Sequence, residues 1–150
     1  MQKAVFFSGQ GTVYTMAGAN KENPELYAET LPALRFLHRR GFILVLVTKE
    51  HQEYKSFVNL LKDRSLPVQY FSTAEDELHR FAYHNRLTLE QSVFVTDGMN
   101  LELFLKACPV ILVLTGRGFC TLEDCETYGR PVFRDVCRDI YAAAFSIAFP

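Results

Sequence analysis

Apolar runs alternate with amphipathic segments along most of the chain, a pattern typical of parallel α/β proteins. Five short runs rich in β-branched and aromatic residues predict buried strands. They cover residues 4–7, 42–47, 68–71, 93–95 and 110–114. The clearest crossover helices are predicted over 52–62, 72–86 and 101–107. We therefore predict a doubly wound parallel sheet of about five strands, with helices on both faces and the first strand near the centre.

The remaining segments carry turn and helix signals. Residues 13–23 are mostly small and polar and predict a loop, after which Pro24 would occupy the first position of a helix. Residues 121–131 predict a turn-rich stretch, and residues 134–149 predict a final helix that docks on the sheet. A chain of 150 residues is long enough for one domain with a real core, so we expect a single domain throughout.

Small or polar residues follow every predicted strand. The first strand ends in the glycine-rich segment SGQGT, which begins at Ser8, and the others are followed by Thr48, Ser72, Asp97 and Thr115. Because parallel α/β sheets keep their ligands at the carboxyl ends of their strands, these positions are expected to meet at one edge. A functional site is predicted there.

Composition and charge narrow the class of protein. The chain is 49% hydrophobic and 22% charged and has a net charge of -1, which gives no reason to expect nucleic acid or anionic membranes as partners. No apolar run is long enough for a bilayer span and no signal-like N-terminus is present, so a cytoplasmic protein is expected. The four cysteines lack the paired spacing of a zinc site and are expected to be reduced thiols.

Two common phosphate-binding motifs are excluded by the residues after the first strand. A dinucleotide fingerprint requires a third glycine where the chain has Tyr14. A phosphate-binding P-loop requires a Lys-Ser or Lys-Thr pair, and none follows Gly11. The glycines of SGQGT therefore belong to another kind of loop.

Three segments together resemble the haloacid dehalogenase superfamily. They are the strand ending in SGQGT, the strand ending at Val47 and Thr48, and the segment SVFVTDGMNLELFLKACPVILVLTGRG. Within the superfamily the chain is similar to the small capless phosphatases that act on histidinol phosphate and heptose bisphosphate. The resemblance spans nearly the whole chain and implies a Rossmann-like fold with no large cap.

The first motif of that superfamily, DxDGT, is changed at both aspartates. The resemblance implies that the first aspartate attacks phosphorus and that the second protonates the leaving group and then activates water. Ser8 and Gln10 occupy these positions. A glutamine side chain cannot exchange a proton near neutral pH, and a serine is a weak nucleophile unless an adjacent base activates it. No catalytic residue is therefore expected here.

The second and third motifs concern the phosphoryl group. Thr48 matches the Ser or Thr of the second motif, which hydrogen-bonds this group in the family. The third motif supplies a lysine or arginine, but the matching segment reads Ser72, Thr73, Ala74 and contains no cation. The resemblance therefore leaves Thr48 as a binding residue without its charged companion.

The fourth motif implies carboxylates for Mg²⁺. Asp97 matches the first of its acids, whereas the usual position of the second is Leu101. Mg²⁺ usually binds one or two carboxylates together with substrate phosphates, so no cofactor is expected, and Mg²⁺ at Asp97 is the one metal site to consider. The alternative role for Asp97 is a turn or helix cap.

The retained strands and glycines, together with the lost chemistry, favour a pseudoenzyme. We expect it to bind a small anionic ligand or a protein partner at the former active-site edge, through Ser8, Gly9, Gln10 and Thr48. The alternative is a Mg²⁺-dependent phosphomonoesterase with displaced catalytic groups. A further enzyme hypothesis has His51 activating Ser8, with Asp97 orienting the histidine.

Aromatic content suggests self-association as a further hypothesis. The chain has seven tyrosines and thirteen phenylalanines, and its last predicted helix is strongly apolar and contains Phe145, Ile147 and Phe149. Core packing accounts for most of these side chains, and an exposed cluster would favour a homo-oligomer.

Overall fold

A six-stranded parallel sheet forms the centre of the molecule in the computed structural model, which describes residues 1–129 and 133–150. The strands are Ala4–Ser8 (β1), Tyr14–Ala17 (β2), Asn23–Leu26 (β3), Ile43–Thr48 (β4), Gln69–Ser72 (β5), Val93–Thr96 (β6), Val110–Val113 (β7) and Asp135–Cys137 (β8). β2 and β3 form an antiparallel hairpin, and the others follow the order β5-β4-β1-β6-β7-β8. The predicted parallel α/β class and the inner position of the first strand are confirmed.

In the described residues six α-helices connect and cover the strands. They are Thr30–Arg39 (α1), His51–Leu61 (α2), Leu78–His84 (α3), Leu101–Leu105 (α4), Gly118–Tyr128 (α5) and Ile140–Ala148 (α6), and a short 3₁₀ turn spans Leu89–Gln91. Because side chains alternate across a strand, β1 contributes to a core on each face of the sheet. Val5 and Phe7 pack with α1, α2 and α6, whereas Ala4 and Phe6 pack with α3 and α4. The sheet is therefore covered on both faces, as predicted.

Phenylalanine supplies much of this core. Six of the thirteen phenylalanines are buried: Phe6, Phe7, Phe57, Phe71, Phe94 and Phe104. Phe94 and Phe104 stack with ring centroids 4.0 Å apart, and Phe6 lies 5.2 Å from Phe104. Such pairs add about 0.5–1.5 kcal/mol to the stabilisation from burial alone. Core packing thus accounts for many of the aromatic residues.

The strand count was too low by one in the main sheet, because β8 has no apolar signal. This strand has three residues, and Asp135 and Val136 are exposed while only Cys137 is buried. The predicted final helix over 134–149 is correspondingly too long. It begins at Ile140, where the Asp139 carboxylate accepts a hydrogen bond from the Ala142 N–H at 2.9 Å.

The predicted loop over residues 13–23 and the helical role of Pro24 are wrong. These residues contribute to the β2–β3 hairpin, in which Pro24 pairs with Met16. Proline is tolerated in a strand whose N–H side is unpaired, and this two-stranded hairpin provides such edges. α1 begins later, at Thr30, whose hydroxyl donates to the Val13 carbonyl at 2.6 Å.

Two further boundaries differ from the sequence prediction. The helix predicted to begin near Ser72 begins at Leu78, because the Glu77 carboxylate accepts hydrogen bonds from the next N–H groups while Ser72 closes a separate turn. The turn-rich stretch predicted over 121–131 is wrong as far as Tyr128, which ends α5. The last two residues of that prediction, 130 and 131, lie outside the described residues.

All four cysteines are free thiols, in agreement with the prediction. Burial raises the pKa of the Cys108 thiol to about 12, and burial together with the charge of Asp135 does the same for Cys137. These two thiols remain protonated at neutral pH and behave as small apolar side chains. Over the part of the chain that the structure describes, no helix has the length and apolar character needed to cross a bilayer.

Candidate functional site

The carboxyl ends of the parallel strands lie at one edge of the sheet and bring the predicted residues together. Ser8 ends β1, Thr48 ends β4, Ser72 ends β5, and Asp97 follows β6 directly. The loop after β7 reaches the same place, since the Thr115 hydroxyl donates to the Gly11 carbonyl at 2.6 Å. No cap domain among the described residues covers this edge, because the connection from β1 to α1 contains only the β2–β3 hairpin.

Three hydroxyl groups are linked by hydrogen bonds, and we call them the hydroxyl chain: Thr12, Ser8 and Thr96. Ser8 Oγ lies 2.6 Å from Thr12 Oγ1 and donates to Thr96 Oγ1 at 3.1 Å, while the Thr96 hydroxyl donates to the Met99 carbonyl at 2.8 Å. Each hydroxyl has a single proton, and the Thr12 hydroxyl has two acceptors within reach, Ser8 Oγ at 2.6 Å and Asp97 Oδ1 at 3.4 Å. Ser8 is only 1% exposed. Its hydroxyl therefore acts as a connector between loops, without a base to activate it.

Asp97 links three loops through hydrogen bonds. Its Oδ2 accepts the Arg117 N–H at 3.0 Å, and its Oδ1 faces Thr12 Oγ1 at 3.4 Å. The Asp97 N–H donates to Thr12 Oγ1 at 3.1 Å, and the Thr121 hydroxyl donates to the Asp97 carbonyl at 2.8 Å. The side chain is buried. Asp97 thus joins the loops after β1, β6 and β7, in addition to the start of α5.

Two glycines leave room for the Asp97 carboxylate. Gly11 has φ +88° and Gly116 has φ +53°, both in the left-handed region that favours glycine. A Cβ atom on Gly11 would overlap with Asp97 Oδ2, and one on Gly116 would lie 2.6 Å from the same oxygen and 2.5 Å from Gly11 Cα. These glycines let the backbone of two loops approach one buried carboxylate, a requirement that the sequence alone does not reveal.

A cavity of about 320 Å³, here called the β1–β4 cavity, lies beside Ser8 and Thr48. It is lined by Ser8, Gly9, Gln10, Tyr14, Val47, Thr48, Lys49, Glu53, Thr73, Met99 and Asn100. All four residues predicted to bind a ligand therefore line one space. The Thr48 hydroxyl donates to the Glu50 carbonyl at 2.9 Å, which leaves its oxygen lone pairs as acceptors and fixes the turn that carries Lys49.

Lys49 is the functional candidate that the sequence prediction missed. The family's third motif places its cation much later in the chain, at a segment that here reads Ser72, Thr73, Ala74. Lys49 directly follows Thr48, lines the β1–β4 cavity and is exposed. In the described chain no carboxylate oxygen lies within 4.0 Å of its ammonium group. Its position directly after a strand-end threonine was the available signal.

Glu53 and Tyr14 set the electrostatics on the opposite wall of this cavity. Partial burial raises the pKa of Glu53, and the charge of Glu50 raises it further. Burial, followed by the charge of Glu53, raises the pKa of the Tyr14 hydroxyl, against a smaller lowering by the Gln10 backbone. Tyr14 is therefore neutral near pH 7, and its ring packs against Gly9. Among the described residues, Lys49 is the only basic side chain that lines the cavity.

A second cavity of about 270 Å³ lies on the other side of Gln10. It is lined by Gln10, Gly11, Thr15, Tyr27, Asp97, Met99, Gly116 and Arg117. Gln10 and Met99 line both cavities. Asp97 is the one acidic side chain in the wall of this second cavity.

His51 does not join the Ser8 site. Its ring lies 5.4 Å from the Tyr70 ring and 5.8 Å from the Tyr54 ring, between centroids. The hydroxyl of Ser8 bonds instead to Thr12 and Thr96. The structure therefore gives no support to a triad of Ser8, His51 and Asp97.

The donor set at the edge does not fit Mg²⁺. Ser8 and Gln10 are neutral, and the Ser8 hydroxyl already serves the hydroxyl chain. The Asp97 carboxylate accepts the Arg117 N–H through one oxygen. Within residues 1–129 and 133–150 no group of three or more His, Cys, Asp or Glu side chains is placed to hold a metal. Asp97 is thus a single carboxylate, the fewest that Mg²⁺ usually binds, and both of its oxygens already face hydrogen-bond donors, so the site is a poor fit for the ion.

Comparison with known proteins identifies the fold. No protein-family model and no curated protein matches the sequence. Among solved structures, D,D-heptose 1,7-bisphosphate phosphatase from Burkholderia thailandensis superposes with a TM-score of 0.78 at 16% identity, covering 99% of this chain and 100% of that one. The same enzyme from B. bronchiseptica, complexed with magnesium and phosphate, gives a TM-score of 0.75 at 18% identity, covering 97% and 98%.

A third solved structure, with a lower TM-score, supports the same fold. The cobalt-bound deoxy-D-mannose-octulosonate 8-phosphate phosphatase from Haemophilus influenzae gives a TM-score of 0.68 at 13% identity, covering 97% of this chain and 86% of that one. The chain therefore shares the Rossmann-like α/β fold of these phosphatases, as the resemblance implied. At these identities the likeness concerns the fold alone.

Proposed function

We propose that this chain, which has the fold of haloacid-dehalogenase-type phosphatases, is a pseudoenzyme that binds a small anionic ligand in the β1–β4 cavity without hydrolysing it. The observation that carries the proposal is the state of Ser8, whose hydroxyl is buried and bonded on both sides within the hydroxyl chain. Gln10 cannot serve as an acid or base near neutral pH. In this proposal the position of the nucleophile is occupied by a hydroxyl that links loops, and that of the proton donor by a neutral amide.

Lys49 supplies the attraction for an anion. Its ammonium group has no carboxylate partner within 4.0 Å among the described residues, so its charge is available to a ligand. The glycine-containing loop from Ser8 to Gln10 and the side chains of Thr48 and Thr73 line the same cavity. Backbone N–H groups, a hydroxyl with an available proton and one cation are the donors that phosphate and carboxylate groups prefer. The Thr48 hydroxyl already donates to the Glu50 carbonyl, so Thr48 shapes the cavity wall and does not donate to the ligand. The chemical class we propose for the ligand is a small phosphorylated or carboxylated metabolite.

Binding of inorganic phosphate and a sugar phosphate, measured by titration calorimetry, tests this assignment. Lys49→Gln is expected to weaken binding about tenfold, since a hydrogen bond to a charged group contributes about 1.5 kcal/mol or more. Glu53→Gln is expected to strengthen binding a few-fold, because it removes the only acidic side chain from the cavity wall. For the same reason, the affinity of the wild type relative to Glu53→Gln should rise as pH falls and Glu53, whose pKa is raised, becomes protonated; the ratio cancels the titration of the phosphate probe itself.

Lys55→Gln is the matched control for charge. Lys55 is exposed on α2, the helix that carries Glu53, and does not line the β1–β4 cavity, so its loss should leave affinity unchanged. Equal effects of Lys49→Gln and Lys55→Gln would mean that only net charge matters. No heat of binding with either probe would remove the anionic-ligand proposal.

The expected self-association stays a prediction, and an exposed aromatic surface on α1 and α6 is where we place it. Phe36 stacks on Phe145 with ring centroids 5.2 Å apart, and the Arg40 guanidinium lies 4.5 Å from the Phe149 ring centroid. Tyr141, Phe145 and Phe149 are 39%, 44% and 57% exposed. Large exposed aromatic groups that are already ordered by their neighbours favour an interface. The occupant we propose is a second copy of the chain.

Sedimentation velocity over a range of concentrations checks this. We expect a dimer that Phe145→Ser converts to monomer, because the substitution removes an exposed aromatic side chain from the proposed contact. Tyr83→Ser, on α3 at the opposite face of the sheet, is the control and should leave the dimer intact. A wild-type monomer at high concentration would rule this interface out.

A cytoplasmic location also stays a prediction.

A further inference from the structure

We infer that the hydroxyl chain and the hydrogen bonds of Asp97 take the place of a divalent cation, so that this edge is organised without a metal. The loops after β1, β6 and β7 meet around the Asp97 carboxylate, the single acidic group that the described structure places there for a cation to bind. Here Thr12 lies at the junction. Its Oγ1 accepts the Asp97 N–H at 3.1 Å and lies 2.6 Å from Ser8 Oγ and 3.4 Å from Asp97 Oδ1. One threonine side chain therefore joins the ends of β1 and β6.

The charge of Asp97 is compensated by backbone dipoles. Arg117 directly precedes α5, a helix of eleven residues, and its N–H donates to Asp97 Oδ2. The N-terminus of a helix carries a partial positive charge that stabilises a nearby anion. The carboxylate thus has a partner that a cation would have to displace or share. Asp97 is a positioning residue that holds the Gln10–Thr12 loop against the Arg117 loop.

Ser8 decides between this arrangement and a metal site. A neutral hydroxyl can hydrogen-bond to both Thr12 and Thr96, whereas a carboxylate at the same buried position would be acceptor-only and would face the charge of Asp97 across Thr12. Two buried carboxylates around one threonine repel each other until a cation binds between them. Ser8→Asp should therefore convert a metal-independent edge into a metal-dependent one.

The test is the melting temperature, Tm, in EDTA and in millimolar Mg²⁺. The wild-type Tm is expected to be the same in both conditions. Ser8→Asp is expected to lower Tm in EDTA and to recover about 5 °C or more in Mg²⁺, the shift that a bound ligand well above its dissociation constant produces in a chain of this size. Ser8→Asn, of similar shape but uncharged, should have a lowered Tm that Mg²⁺ does not raise. Asp97→Asn in the Ser8→Asp background should abolish the recovery.

Mn²⁺ binding gives a readout that does not depend on how well the variants fold. The electron paramagnetic resonance signal of free Mn²⁺ should be undiminished by the wild-type protein. A wild-type Tm raised by Mg²⁺, or a Mn²⁺ signal reduced by the wild type and restored by Asp97→Asn, would overturn the inference. Neither measurement uses an anionic ligand, so failure here is distinct from failure of the binding proposal.

Discussion

Wild-type protein incubated with Mg²⁺ and a generic phosphate ester should show no turnover above that of the buffer, and the same should hold for a panel of phosphorylated metabolites. Loss of a nucleophile from an assembled hydrolytic site typically lowers kcat by about 10⁴-fold to 10⁶-fold. Here the Ser8 hydroxyl donates to Thr96 and lies 2.6 Å from the Thr12 hydroxyl, and under our proposal Gln10 stands at the position of the proton donor. Because neither change is compensated by a nearby base, the reduction should reach the background rate.

Restoring both aspartates is the matched experiment. The double variant Ser8→Asp, Gln10→Asp is expected to gain Mg²⁺-dependent turnover at least about tenfold above background, since it regains a nucleophile and a proton donor. Ser8→Asn, Gln10→Asn keeps the side-chain shapes without the charges and should remain inactive. Turnover by the wild type that disappears in Asp97→Ala would contradict the pseudoenzyme proposal. It would instead favour a phosphomonoesterase with displaced catalytic groups.

Gly11→Ala should lower the free energy of unfolding by about 3 kcal/mol or more. Residue 11 has φ +88°, where an alanine is destabilised by roughly 1–2 kcal/mol. Its Cβ would also overlap with Asp97 Oδ2 and disturb the carboxylate that accepts the Arg117 N–H, and a hydrogen bond to a charged group contributes about 1.5–3 kcal/mol. The expected fall in Tm is roughly 6–12 °C, measured by thermal and denaturant unfolding.

Gly41→Ala separates the two contributions. Gly41 has φ +89°, and no atom lies within 4 Å of the position that its Cβ would take. Gly41→Ala should therefore lower the free energy of unfolding only through its unfavourable backbone conformation, by roughly 1–2 kcal/mol. The difference between the two variants measures the contact with Asp97. Equal destabilisation by Gly11→Ala and Gly41→Ala would mean that Asp97 does not hold the loop.

Secondary structure was predictable where its signal was local. The five apolar runs needed no tertiary information, because a strand buried on both faces must be apolar at every position. β8 and the β2–β3 hairpin were missed for the opposite reason. Val136 is exposed in β8, and Pro24 lies in β3, so neither segment has the run of buried side chains that marks a central strand. β8 pairs with β7 across the intervening helix α5, whereas β2 and β3 pair with each other across a short turn, so for the hairpin the missing signal was the apolar pattern and not the distance along the chain.

The candidate site was likewise predictable from the sequence only in part. Because parallel strands share a direction, the sequence predicted that Ser8, Thr48 and Asp97 would meet at one edge. It could not predict that the Ser8 hydroxyl bonds to Thr96, 88 residues away, or that Asp97 accepts a backbone N–H from Arg117. Those contacts depend on side-chain positions that only packing fixes.

The sequence by itself determined the fold class, the edge at which the site lies and the absence of the two motif aspartates, because strand periodicity and residue identity are local properties. Only the tertiary structure decided which partners the polar side chains at this edge have. In the structure Lys49 lines the β1–β4 cavity and His51 lies beside the Tyr54 and Tyr70 rings. Asp97 accepts a hydrogen bond from the Arg117 N–H. The physical reason is that the role of a polar side chain is set by the partners within hydrogen-bond reach, and these come from distant parts of the chain.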